Sequence, residues 1–141
     1  MDIAEVQVAY ANEKVDGYHM EYFDSIDVRG ISLPTQMDEG KLSEDNITIG
    51  NNVTGDEAIR EALNIGINRS ALLDGAFNGY GNVSYNGVAS QLPWAFESTF
   101  EDGNIEQAKQ VLSDAGWNDT DGDGIVEKNG TKASFSVYYN A

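Results

Sequence analysis

Apolar residues recur at helical spacing in three places along the chain. Ile59, Ala62 and Leu63 fall on one face of a first helix. The preceding Thr54-Gly-Asp-Glu57 reads as a capping box, in which the Thr54 hydroxyl accepts from the amide three residues on and Glu57 reaches back to the Thr54 amide. Gly66 weakens the end of this helix. Asn68 then serves as the N-cap of a second helix over residues 69–77, with Leu72, Leu73, Ala76 and Phe77 apolar and Gly79 suited to a left-handed stop. Asn104 opens another cap pattern, Asn-Ile-Glu-Gln. Ile105, Ala108, Val111, Leu112 and Ala115 form the stripe of a third helix, which Gly116 ends.

Period-two patterns mark the strands. Residues 2–6 read as a short strand, 8–14 as one or two helical turns, and Val15-Asp16-Gly17 as a turn. Residues 18–23 and 28–33 read as strands, and Pro34 ends the second because it cannot donate to a ladder. Residues 35–53 are polar, acidic and rich in Gly and Asn. They predict a long surface excursion with a short hairpin, 41–42 against 47–49. Residues 82–94 are loop and strand, and 118–124 are a turn-rich acidic loop. Asn129-Gly130, the dipeptide preferred in tight hairpins, joins 125–127 to a strand over 131–139. Phe135, Val137 and Tyr139 alternate with Ser134, Ser136 and Tyr138 there, so one face is expected to be buried. Strands, then helices, then a hairpin give an α/β chain of α+β-like order.

Charge narrows the partners. The 141 residues carry 24 acids and 8 bases, a net charge of -16. Such a chain repels phosphate backbones and anionic headgroups, which excludes nucleic acid as a partner. It has no cysteine, so no disulfide frame, iron–sulfur site or thiolate zinc site is available. The longest apolar run, residues 8–11, is far too short to span a bilayer.

Two clusters could carry chemistry. Asp119, Asp121 and Asp123 alternate before Gly124, and Glu127 follows. Alternate carboxylates on a tight turn can converge on one Ca2+. An EF-hand would need its bidentate acid at the twelfth position, which is Gly130, and Glu127 sits at the ninth. The alternative is an Asx-rich turn whose carboxylates cap local amides. The second cluster is Tyr80, Tyr85, Trp94 and Phe96 on Gly- and Asn-rich loops. These rings line a ligand cleft, or else Trp94 and Phe96 close over the helix pair as satellite core. Catalytic signatures are missing. His19 is the sole histidine, no Gly-x-Ser-x-Gly occurs, and Gly79-Tyr80-Gly81 follows a helix rather than opening one. With so many acids, carboxylate pairs arise by chance, so no enzyme is expected.

The motif order points to a family. Ala58-Ile-Arg-Glu-Ala-Leu-Asn-Ile-Gly-Ile-Asn-Arg-Ser-Ala-Leu-Leu-Asp-Gly-Ala-Phe-Asn-Gly-Tyr-Gly81 resembles the helix-pair signature of family 5 extracellular solute-binding proteins, the peptide and nickel receptors of ABC importers. The later run from Ala108-Lys109 through Leu112 and Ala115-Gly-Trp-Asn-Asp-Thr-Asp-Gly-Asp-Gly-Ile-Val-Glu-Lys-Asn-Gly130 is similar to that family's next segment, followed by 135–140 as its strand. Two departures stand out: Asn68 replaces a frequent Asp, and the 35–53 stretch is longer than in typical peptide receptors.

The resemblance implies part of one lobe of a two-lobed, type II periplasmic-binding-protein fold. Residues 1–34 would be crossover strands with a short helix, 35–53 an inserted acidic loop, and 54–141 the first part of the C-terminal lobe, all within a longer receptor. The implied function is to capture an oligopeptide or a nickel or other metal chelate between the lobes and deliver it to permease subunits. The implied place is outside the cytoplasm, as a surface lipoprotein or in the periplasm. Tyr80, Tyr85 and Trp94 are the candidate ligand residues, with Arg29 leaning toward nickel-type members. The resemblance implies no cofactor: the Asp119-to-Gly124 stretch recurs in the family ahead of a hairpin, which favours the turn, and Ca2+ at Asp119, Asp121, Asp123 and Glu127 stays the alternative read from the residues alone. A piece of a lobe would expose apolar faces through which it could dimerise non-natively.

Overall fold

The computed structural model describes Gly17 and residues 23–138. The expected strand at 2–6, the turns of helix at 8–14, His19 and Tyr139 lie outside the described residues. The elements are α1 (Glu57–Gly66), α2 (Arg69–Phe77), α3 (Ile105–Asp114), β1 (Glu127–Lys128) and β2 (Thr131–Lys132). Three helices with a small antiparallel strand pair make an α/β fragment. The chain divides into two units, Met1–Gly30 with Asn68–Phe100, and Ile31–Ile67 with Glu101–Ala141.

The second unit is built around α1 and α3, which pack on each other. Gly66 permits the approach, since a Cβ there would stand 3.3 Å from the Ala108 Cβ. Val53, Ala58, Ile59 and Trp117 form the core, with Leu63, Val111, Leu112, Val126 and Phe135 around them. α1 does not begin as the capping box predicts. Its N-cap is Asp56, whose side chain accepts from the Ala58 amide. The Thr54 hydroxyl, fully buried, instead donates to the Pro34 carbonyl at 2.8 Å. The reason is long-range: a buried hydroxyl needs a partner, and Asp56 is as good a cap as Thr. Around it, Arg60 Nη1 donates to the carbonyls of Thr54 and Gly55, and Asn51 Oδ1 accepts from the amides of Val53 and Thr54. Gly50 closes this knot. Its φ is +76°, and a Cβ there would lie 2.0 Å from the Gln36 carbonyl oxygen, so only glycine fits.

The remaining local predictions fare unevenly. Asn104 caps α3 through the Gln107 amide, and the Trp117 amide returns to the Leu112 carbonyl past Gly116, at φ +87°. Asn129 and Gly130 both have positive φ, as a type I′ turn requires, and pair Glu127 with Lys132 and Lys128 with Thr131. Leu42 bridges Thr48 in the expected hairpin of the 35–53 segment. The strand over 131–139 shortens to Thr131–Lys132, with one further bond from the Ala133 amide to the Val126 carbonyl. Phe135 reaches the core but Val137 is exposed. Residues 28–33 form no strand. A period-two pattern needs a neighbouring ladder to become one, and none is paired to them among the described residues.

In the first unit, α2 runs as predicted from its Asn68 cap, which accepts from the Ala71 amide, to Asn78 in the left-handed conformation. It buries none of its residues. After it, the loop is organised by Asn86, which donates to the Phe96 carbonyl and accepts from the Val88 amide, both at 2.8 Å. Ala89 is buried, and turns at Leu92 and Ala95 follow it.

Candidate functional site

The four candidate ligand residues all belong to the first unit. Tyr80 is half-buried just after α2, its amide bonded to the Phe77 carbonyl at 2.9 Å. Tyr85 is half-buried and meets Phe100 edge to face, with ring centroids 5.0 Å apart. Arg69, in the first turn of α2, sets its guanidinium 5.4 Å from the Tyr85 ring centroid and 4.8 Å from that of Phe100. That distance is within the range of a cation–π contact. Trp94 and Phe96 are 74% and 80% exposed. They are therefore not satellite core, and the reading that they close over the helices is corrected. Arg29 is exposed and paired to Asp27 at 3.2 Å. The Arg69 and Phe100 contributions were missed in the sequence. Their signal is faint: a cation beside a helix cap and a ring outside the Gly- and Asn-rich stretch.

The acidic loop is more closely knit. Asp119 accepts from the amides of Gly122 and Gly124 at 2.7 and 2.9 Å, Asp121 from Asp123, and Asp123 from Ile125. Lys132, on β2, sends its ammonium to Asp121 at 2.9 Å and to Asp123. This contact holds the Asp123 carboxyl below the usual range and pushes the Lys132 ammonium up. Carboxylate oxygens of Asp119, Asp121 and Glu127 lie within 4.8 Å of one another, whereas Asp123 turns to Lys132. Glu127 Oε1 accepts from the Thr120 amide and hydroxyl, and its buried Oε2 has no partner.

A third polar centre was not foreseen at all. Asp56 caps α1, and its Oδ2 also accepts from the Trp117 indole at 3.0 Å and the Lys128 ammonium at 2.8 Å. The Lys128 hydrogen bond is the main cause of its lowered pKa, aided by Trp117 and opposed by burial. The available signal was Asp directly before Glu57 at a helix start. Asp56 is half-buried and ties the start of α1 to the core residue Trp117, which makes it a structural hub.

No described helix is long and apolar enough to cross a membrane. Comparison with known proteins gives consistent matches. The family model for bacterial extracellular solute-binding proteins, family 5 Middle, matches residues 2–141. Protein XP55 of Streptomyces lividans is 32% identical over 127 residues, covering 90% of this chain and 21% of that protein. The oligopeptide-binding protein AppA of Bacillus subtilis (strain 168) is 35% identical over 94 residues, 64% of this chain and 17% of AppA. The solved structure of AppA in complex with a nonapeptide matches 58% of this chain and 17% of that chain, with a TM-score of 0.52 and 33% identity. The chain thus spans about a fifth of the length of the curated relatives it matches.

Proposed function

Because this chain belongs to the bacterial extracellular solute-binding proteins of family 5, we propose that it is a binding protein and not an enzyme, part of the oligopeptide-capturing component of an ABC importer. The observation that carries this is the match to AppA in both sequence and structure. The protein would close two lobes on its ligand outside the cytoplasm, as a lipoprotein or in the periplasm, and hand it to permease subunits. Residues 54–141 would begin one lobe, residues 1–34 would cross into it, and residues 35–53 would be an insertion on its surface. Tyr80, Tyr85 and Trp94 would face the ligand, since they supply rigid aromatic contact area on the loops after α2. The test is fluorescence titration of the intact protein with a mixed nonapeptide pool and, separately, with a nickel chelate. Saturable peptide binding is expected. Binding of the chelate alone would replace oligopeptide by metal complex as the cargo. The isolated 141 residues should bind poorly and self-associate through exposed apolar side chains.

A second reading gives the loop of Asp119, Asp121, Asp123 and Glu127 a Ca2+ ion, favoured by the unpartnered Glu127 Oε2. The Lys132 ammonium beside Asp121 and Asp123 favours the turn reading instead, because it supplies cationic charge at the same carboxylates. Calorimetry with calcium separates the two. A heat abolished by Asp121→Ala supports the ion, and a flat titration leaves the loop a turn that feeds the hairpin.

A further inference from the structure

Arg69, Tyr85 and Phe100 are all half-buried and form a three-membered cluster, the two rings edge to face and the guanidinium within cation–π distance of both. The cluster joins two segments that are otherwise held differently. α2 is fixed by its Asn68 cap and its left-handed Asn78 stop. The loop that follows is fixed largely by bonds within itself, such as those of Asn86 to Phe96 and Val88. A planar guanidinium can lie against ring faces while its edge N–H groups still donate elsewhere, which an ammonium cannot do. Placed on N1 of a capped helix, it has a fixed origin. The Tyr85 ring therefore takes its position from α2 through Arg69.

We propose that Arg69 is a positioning residue for ligand capture: it pins Tyr85, through cation–π contact shared with Phe100, in the orientation in which that ring meets the ligand. This rests on the reading that Tyr85 faces the ligand, and it adds a specificity-determining residue that makes no ligand contact itself. The bound peptide would then gain from a ring already in place rather than one ordered on binding.

The experiment is a double-mutant cycle in the intact protein, with Arg69→Met, Tyr85→Ala and the pair, titrated with a mixed nonapeptide pool. Arg69→Lys is the conservative variant. Amide exchange over residues 80–100 and over α2 is measured alongside. Arg69→Met is expected to weaken capture about three- to tenfold, the range of a partly desolvated cation–π pair. Tyr85→Ala should weaken it at least as much, with the two effects far from additive. Arg69→Lys should fall between, and exchange should quicken over 80–100 while α2 stays protected.

Additive losses would overturn the proposal, as would unchanged capture and exchange in Arg69→Met. Loss of protection in α2 as well would make Arg69 a folding residue and overturn it; if Arg69→Met does not fold, Arg69→Lys is judged by the same criteria. Weakened capture in Arg69→Met with none in Tyr85→Ala overturns the ligand-facing reading of Tyr85 and the proposal built on it. A parent protein that captures no peptide overturns the oligopeptide reading, and with it the proposal.

Discussion

The two units of this chain solve the stability problem differently. Ile31–Ile67 with Glu101–Ala141 closes a core on Trp117, which is 3% exposed, and reinforces it with Asp56, Thr54 and the glycine knot at Gly50. Met1–Gly30 with Asn68–Phe100 contributes only Ala89 to the buried apolar residues described. Its helix α2 buries nothing, Leu72 is 62% exposed, and its described residues are held by caps, turns and the cation–π contacts of Arg69. Caps and turns contribute about 1 kcal/mol apiece, and a packed indole several times that. Among the described residues the first unit thus has the smaller apolar core, and it carries all four candidate ligand residues. Binding loops are drawn from the low-stability end of a structure.

The sharpest way to break this contrast is Trp117→Ala. It should cost about 3–5 kcal/mol and abolish cooperative urea unfolding of α1 and α3 as seen by circular dichroism. Equal loss of amide protection in α2 at lower denaturant than in α1 would leave the contrast intact; α2 outlasting α1 would invert it. Asp56→Ala should cost about 2–3 kcal/mol, because it removes a cap and strands the indole N–H and the Lys128 ammonium. The same residue sets an acid limit. Its pKa is lowered in the folded chain, so its contribution is full at neutral pH and is lost as pH falls below about 4 and through the lowered value. Acid titration of parent and Asp56→Asn should therefore converge at low pH. Asn68→Ala in the first unit should cost about 1 kcal/mol, read as faster exchange in α2 alone. Leu72→Ser should change stability by less than about 0.5 kcal/mol. A large loss there would show that α2 buries more than its surroundings indicate.

Legibility followed the range of the interactions. α2 and α3, with their caps at Asn68 and Asn104, were readable because periodicity and capping act within one or two turns. The Asn129-Gly130 turn was readable for the same reason. α1 began two residues late because the Thr54 hydroxyl is claimed by Pro34, twenty residues away. Residues 28–33 alternate correctly yet form no strand, since alternation names a face and says nothing of a neighbour. In the candidate site, Tyr85 was visible as an aromatic on a Gly-rich loop. Arg69 and Phe100 were not, because their contacts join positions 16 and 15 residues from Tyr85 with no local signature. Family membership was the most legible feature of all, carried by motif order over residues 58–81 and 108–130.

The Asp56 carboxylate also imposes a timetable on folding. Its bond to the Ala58 amide spans two residues and forms with the first turn of α1. Its bonds to Trp117 and Lys128 span 61 and 72 residues, so the chain must close long loops before either exists, and such closures are slow. The short-range bond is expected to form on the ascent of the barrier and the long-range ones beyond it. Asp56→Asn should then act mostly on the rate of unfolding, leaving the refolding rate close to that of the parent. A single side chain thereby separates how quickly this unit assembles from how long it persists.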